Sequence, residues 1–374
     1  MSHDPQKPFD PLPPLPPVID IETRGILKAC VGARAAVAEL KVAGQLIPDQ
    51  YVLVPMIAML EARASSEIEN IVTTNDALFR ASNSRDGDVH DPAAKEALRY
   101  KTAVFEGFQA LKERPLSSRM AVDICRTIKG VDLDVRATPG TVLQNSHTGE
   151  VIYTPPQGQD RLRGMLANWE GFIHANDDID PLIKMAVQHY QFEAIHPFTD
   201  GNGRTGRVLM ILQLIEAGLL DLPTLYLSRP ILATRGDYYR LLNGVTARGE
   251  WEPWIVYMLN ACESTSLWTT RHIRAIQALM VETTRYVRVG APKSYSRELV
   301  ELIFTKPYVR VANLVEAGIA KRQTAAVHLK ALVELGILHE EKIGRDKLYL
   351  HWKYRDLLSG DGHEFELYPP VSKK

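Results

Sequence analysis

Apolar residues return at alternating four- and three-residue steps through Ile26, Cys30, Ala33, Val37 and Leu40, which predicts a helix that buries one face. Asp20 or Thr23 is placed to cap it, and Gly44 and Pro48 to stop it. A second apolar run, residues 51–60, leads into the polar segment EARASSEIEN at residues 61–70. The stretch 83–91 (NSRDGDVHD) reads as a surface loop, and helical spacing resumes over 93–112 and 117–128. Between Thr138 and Pro156 the pattern changes. Residues 141–146 and 150–154 flank His147-Thr-Gly149 and stop at two prolines, which predicts a β-hairpin. An isolated hairpin on a helical body is marginal unless it packs or is used. Helices follow over 161–175 and 181–195, the second with Leu182, Met185, Ala186 and Phe192 on one side. A buried helix is expected over 208–219, a more exposed one over 235–248, and one or two long helices over 254–287.

Gly290-Ala-Pro292 marks a boundary. Beyond it the spacing predicts helices over 296–304, 311–317 and 322–335, then strands over 337–343 and 347–351 around a Gly344-Arg-Asp346 turn. Three helices and a wing is the winged-helix order. The fold class expected is therefore mainly α: a helical core with a small β-hairpin flap, and a C-terminal winged helix-turn-helix domain.

Composition adds limits. At 374 residues, two or three structural units are expected. Lys and Arg number 44 against 45 Asp and Glu, so no global field points to nucleic acid or membrane. Three scattered cysteines without CxxC spacing argue against a disulfide scaffold or zinc site, and with no charged-then-apolar leader they point to a reducing cytoplasm. The apolar runs are too short or too interrupted to span a membrane. Residues 1–19 form a proline-rich arm, either packed on its own domain, mobile, or an SH3-type ligand.

Chemistry concentrates in residues 196–207, HPFTDGNGRTGR. Gly201, Gly203 and Gly206 satisfy a dinucleotide fingerprint, with Asp221 downstream where that fold places its ribose acid. The helical spacing of 181–195, however, leaves no strand before the glycines. No Lys-Ser or Lys-Thr follows them, so it is no Walker loop either. By residue type, neutral His196 can take a proton from an attacking hydroxyl. Asp200 is a hard oxygen ligand for magnesium or a helix cap. Gly201, Asn202 and Gly203 can form an anion nest with the Asn202 amide as an added donor. Arg204 and Arg207, three apart, can clamp a polyphosphate. The set implies transfer of a phosphate-linked group from a nucleoside triphosphate to a hydroxyl.

At every defined position this segment resembles the Fic family signature, HxFx(D/E)GNGRxxR. The resemblance implies a helical protein adenylyltransferase that moves AMP from ATP to a Tyr, Ser or Thr hydroxyl of a target protein. It makes His196 the general base, Asp200 the Mg2+ ligand, Gly201 to Gly203 the anion hole, and Arg204 and Arg207 the phosphate clamps. In the Doc-type phosphotransferase branch Gly203 is replaced by lysine, so the chain looks like an AMP transferase. Residues 138–156 correspond to the flap on which protein substrates dock by strand addition. Tyr239 resembles an adenine-pocket residue, with ordinary helix packing as the alternative. Ser65, Glu69 and Asn70 fit the family's inhibitory pattern (S/T)xxxE(G/N), in which Glu69 would pair with Arg207 and exclude the terminal phosphate. Some relatives also use this glutamate to assist AMP removal. The expected divisions are an arm (1–19), an N-terminal region with the inhibitory helix (20–100), a Fic core (101–289) and a winged-helix domain (290–374).

For the tail, Lys321, Arg322, Gln323 and Thr324, with Arg345 and Lys347 in the wing, are candidates for DNA contact, and protein docking is the alternative. Residues 291–374 hold 14 Lys and Arg against 11 Asp and Glu, a weak excess for a phosphate binder. The rival reading is a transcriptional regulator with the core as nucleotide sensor. A homodimer stays open.

Overall fold

Helices α1 (Arg24–Gln45), α2 (Gln50–Ile68), α3 (Asn75–Ser82), α4 (Pro92–Ala110) and α5 (Ser118–Lys129) precede a hairpin of β1 (Leu143–Gln144) and β2 (Val151–Tyr153). Then come α6 (Gln159–Ile173), α7 (Pro181–Ile195), α8 (Asn202–Glu216), α9 (Ser228–Ala233), α10 (Arg235–Arg248) and α11 (Trp251–Gly290). The tail runs α12 (Arg297–Thr305), β3 (Tyr308–Val309), α13 (Val311–Glu316), α14 (Arg322–Glu334), β4 (Leu338–Ile343), β5 (Asp346–His351) and α15 (Trp352–Ser359). The structure, a computed structural model, describes residues 4–45, 50–82, 91–144, 148–343 and 346–370. The loop expected at 83–90, the hairpin tip at 145–147, and Gly344 and Arg345 of the wing turn lie outside these residues.

Local chemistry sets the helix starts. Asp91 accepts the Ala93 amide (2.9 Å) with Pro92 in the first turn, and Asp180 accepts that of Leu182 (2.8 Å) ahead of Pro181. Ser117 caps α5, and Thr23 rather than Asp20 caps α1, its Oγ1 accepting the Ile26 amide at 3.3 Å. The region read as one or two helices is a single α11 of 40 residues, against which α1 packs lengthwise.

α7 and α8 form the axis of the core. The one-sided pattern read in α7 understates its burial, because Lys184, Gln188, His189 and Gln191 are buried as well. They are tolerated because partners lie within reach: Lys184 donates to the Ala175 carbonyl (2.7 Å) and pairs with Asp177 (2.7 Å). The proline-rich arm packs on its own domain, with Leu12 and Leu15 buried. Asn168 exchanges two hydrogen bonds with the Leu15 backbone (2.7 and 2.9 Å), and the Phe9 amide donates to Thr154 O (2.9 Å) just past β2.

In the tail, three helices stand against a sheet of order β3-β5-β4, antiparallel throughout. This unit sits on the α2–α3 region. Arg80 of α3 pairs with Glu341 of β4 (2.8 Å), its guanidinium lies 4.6 Å above the Tyr308 ring, and Tyr308 donates to Asp76. After α15 the chain returns to α11, stacking Tyr368 on Tyr286 at 4.7 Å. The elements without a sequence signal, α3, α9, β3 and α15, span eight residues or fewer, too short for a period to declare itself.

Candidate functional site

α7 stops at His196, which adopts the left-handed conformation (φ 50°, ψ 61°) while its amide still donates to Phe192 O (3.0 Å). A non-glycine residue there costs about 1 kcal/mol, so something must hold it. Arg136 does: its Nε donates to His196 O (2.8 Å), its Nη2 to Pro156 O (2.5 Å), and its amide to Pro197 O (2.9 Å). No sequence signal marked Arg136, which lies between elements. The His196 ring is partly buried, and its Nδ1 has no hydrogen-bond partner among the described residues. Burial first, then the Arg136 charge, pushes its pKa down to about 4, so the imidazole is neutral at physiological pH.

Phe198 turns inward, 1% exposed, and the Asn202 side chain staples the loop behind it: Oδ1 accepts the Phe198 amide and Nδ2 donates to the Phe198 carbonyl, both at 2.8 Å. The Asn202 side chain, expected as a donor to phosphate, here shapes the turn: its carbonyl and one amide hydrogen serve the Phe198 backbone, and the residue is buried. Gly201 has φ 86°, a conformation that favours glycine, and begins α8.

The two arginines expected as phosphate clamps have different partners. Arg204 is buried in a network with Glu96 of α4, Asp200 (3.3 Å) and, through both carboxylates, Lys129. Asp200 keeps 60% of its side chain exposed. Burial raises its pKa, but the Lys129 hydrogen bond, the Arg204 and Lys129 charges and the Gly201 amide outweigh that and hold the carboxyl below its usual range. It is therefore ionised and solvent-facing beside a helix N-terminus. A single such carboxylate suits magnesium, which completes its shell from substrate phosphates, and among the described residues no group of three ligand side chains offers a protein-only cage.

Arg207, 1% exposed, faces α2: Nε donates to Ser65 Oγ (2.8 Å), and Nη2 to Ser65 O (2.9 Å) and to Glu69 Oε1 (2.9 Å). Glu69 spans the small surface of Gly203, where an added Cβ would stand 2.3 Å from Glu69 Oε1 and 3.0 Å from Arg207 Nη1. Asn70 ends this segment in the left-handed conformation (φ 63°), and its Oδ1 accepts from Arg235 of α10 (2.8 Å). Ser65, Glu69 and Asn70 thus meet Arg207 and Gly203 in one place. One turn beyond Arg235, Tyr239 is 39% exposed, edge-on to Tyr238 at 5.1 Å, at the rim of the site.

α2 has a second anchor that the sequence reading missed. Glu61, two turns before Glu69, is buried and accepts from the Ser228 amide (2.8 Å), the Ser228 hydroxyl and the Tyr100 hydroxyl (3.0 Å). An acid directly after the apolar run 51–60 was the available clue. The flap is anchored by Tyr153, whose hydroxyl donates to Ala194 O (2.7 Å) on α7, while Val142 and Ile152 are exposed on the hairpin.

Residues 115–214 match the Fic/DOC family, residues 27–109 the Fic/DOC family N-terminal segment, and residues 279–354 the C-terminal domain described for protein adenylyltransferase SoFic-like proteins. The chain belongs to the Fic/DOC family. Relatives include protein adenylyltransferase fic-1 of Caenorhabditis elegans, 37% identical over 87 residues, which are 23% of this chain and 16% of that protein. Protein adenylyltransferase Fic of Nematostella vectensis is 33% identical over 135 residues, 36% of this chain and 28% of that one. The match thus spans less than a third of either relative. Among solved structures, a Fic family protein from Desulfovibrio desulfuricans aligns over 88% of this chain and 96% of its own, with a TM-score of 0.55 at 20% identity. A Fic domain containing signaling protein from Bacteroides thetaiotaomicron covers 65% of this chain and 98% of its own, with a TM-score of 0.50 at 18% identity. Both likenesses concern the fold.

Among the described residues no helix is long and apolar enough to cross a membrane.

Proposed function

We propose that this Fic protein transfers AMP from ATP to a hydroxyl of a protein substrate, and that Glu69 holds it at rest. One observation carries the reading: the Glu69 carboxylate sits on the buried Arg207 guanidinium, at the glycine-lined first turn of α8, where a phosphate would bind. A carboxylate on a buried arginine at a helix N-terminus stands in for the phosphate that displaces it.

With Glu69 withdrawn, Arg207 holds the terminal phosphate and the backbone amides of 201–203 receive the inner ones. A side-chain hydroxyl, presented by a substrate strand laid along the flap, attacks the α-phosphorus. Neutral His196 takes its proton, the bond to the bridging oxygen breaks, and pyrophosphate leaves. Asp200 would hold magnesium, which would supply charge neutralisation. Gly203 leaves Arg207 accessible to the nucleotide, and Tyr239 borders the base. Tyr, Ser and Thr hydroxyls all suit this chemistry.

The test is incubation with labelled ATP and magnesium, with label followed on protein. Wild type should be weakly active, Glu69→Gly strongly active, and His196→Ala silent. Absence of label on any protein with the Glu69→Gly variant sinks the reading.

A second reading, a winged-helix regulator of transcription, draws on Lys321, Arg322, Gln323 and Thr324, all exposed at the start of α14. Against it, Lys347 of the wing pairs with Glu340 (2.6 Å), and neighbouring Glu341 pairs with Arg80. A gel-shift titration over salt decides it.

A further inference from the structure

Glu193 lies on α7 one turn before His196, and nothing in the preceding chemistry uses it. Its Oε1 is buried and has no hydrogen-bond partner among the described residues. Nδ1 of His189, one turn earlier on α7, is in the same condition, although its Nε2 meets the Tyr238 hydroxyl at 2.9 Å. Both atoms converge on α8. A Cβ on Gly206 would stand 2.8 Å from Glu193 Oε1 and 3.1 Å from His189 Nδ1. Gly206 directly precedes Arg207, and Gly203, one turn back, is where Glu69 lies. Two carboxyl groups therefore flank the guanidinium: Glu69 bonded to it, Glu193 beside it with an oxygen unfulfilled. A buried, unpartnered polar atom is costly, so it persists where a ligand supplies its partner.

We propose that Glu193 is a second ligand of the terminal phosphate, its protonated carboxyl donating a hydrogen bond to the oxygen that Arg207 also holds once Glu69 has moved away. This rests on the reading of the site as an ATP site. An ionised carboxylate beside a polyphosphate would repel it, whereas the neutral acid is a donor. Burial chiefly keeps Glu193 in that form: it pushes the pKa up to about 8, with Arg207 opposing and Glu69 adding. The groups facing it from other elements are Arg207 of α8, Glu69 just past α2, and Tyr238 and Tyr239 of α10. On its own helix are His189, held down to about 3 by burial, and His196. Both histidines titrate well below pH 7. Tyr239 titrates near 12 and Tyr238 well above its ordinary range, so between pH 7 and 9 Glu193 changes charge while these groups do not.

The experiment is calorimetric binding of magnesium ATP and of AMP, in the Glu69→Gly background that frees Arg207. Glu193→Ala should weaken ATP about tenfold and leave AMP, which has no terminal phosphates, unchanged. Glu193→Gln keeps a donor and should bind ATP like its parent. ATP affinity of the parent should fall as rising pH ionises Glu193, which burial still holds above the usual carboxylate range once Glu69 is gone, and that of Glu193→Gln should stay level. Equal loss of ATP and AMP in Glu193→Ala, or an alkaline fall that persists in Glu193→Gln, overturns the assignment. Failure of the Glu69→Gly parent to bind ATP at all overturns the ATP reading itself.

Discussion

Glu69 Oε1 stands 2.9 Å from Nη2 of Arg207, and the residue beneath it on α8 is a glycine. The guanidinium is buried and also tied to the Ser65 hydroxyl and carbonyl, so α2 and the turn that ends it close on it from one side with three hydrogen bonds. Glu69 itself remains about one-third exposed (32%) and can leave into solvent without a large rearrangement of the core.

Glu69→Gly is expected to raise label incorporation from ATP at least tenfold. It also leaves Arg207 short of a counter-charge, so the resting variant should melt lower than wild type. ATP should then raise its melting temperature more than it raises that of wild type, because the anion restores the missing charge. Scanning calorimetry with and without ATP checks this.

His196→Ala in the Glu69→Gly background should remove transfer while retaining ATP binding. The pH profile is the finer test. With a folded pKa near 4, His196 is neutral throughout pH 5.5–7, so the acid limb of kcat/KM should lie below the ordinary histidine range near 6.5. The unfolded chain takes up this proton between about 6.5 and 4 and the folded one does not, so the His196 contribution to stability is lost as pH falls through that window.

Asn202→Ala should behave as a loop mutation. Two hydrogen bonds to the Phe198 backbone disappear from a buried site, for a cost of about 2 kcal/mol. Denaturant unfolding should register it, and kcat should fall more than ATP affinity. A selective loss of ATP affinity at unchanged stability would return Asn202 to the phosphate.

Glu61→Ala should loosen α2 without touching the inhibitory pair. It removes the acceptor for the Ser228 amide, the Ser228 hydroxyl and the Tyr100 hydroxyl. Transfer activity should rise, by less than with Glu69→Gly, and hydrogen exchange of α2 amides should speed up. Unchanged exchange would show that Glu61 does not anchor the helix.

The motif at 196–207 and the Ser65–Glu69–Asn70 pattern could be read from sequence because both carry chemistry at fixed spacing. Their functional faces could not. Asn202 reads as a phosphate donor, and only the fold shows its side-chain amide tied to the Phe198 backbone. Arg204 and Arg207 look interchangeable on a helical wheel, but Glu96 on α4 captures the first and α2 the second. Arg136 and Glu193 gave no signal, since an arginine in a connector and an acid near a helix end are ordinary until the fold brings backbone carbonyls or a glycine face against them. The α7 pattern misled in degree, because α8 and α11 cover sides that its sequence alone would leave to solvent.

Arg136 grips four carbonyls in two places: Ile195, His196 and Pro197 at the end of α7, and Pro156 at the root of the flap. In the proposed reaction, the place where a substrate strand would enter and the place where its proton would go are thereby gauged from one rigid fork. The hairpin beyond that root can vary in sequence and bend without resetting the distance between its base and the histidine. Under the proposed reaction, substitutions in the hairpin strands would change which segment is accepted and leave the geometry of transfer as it is.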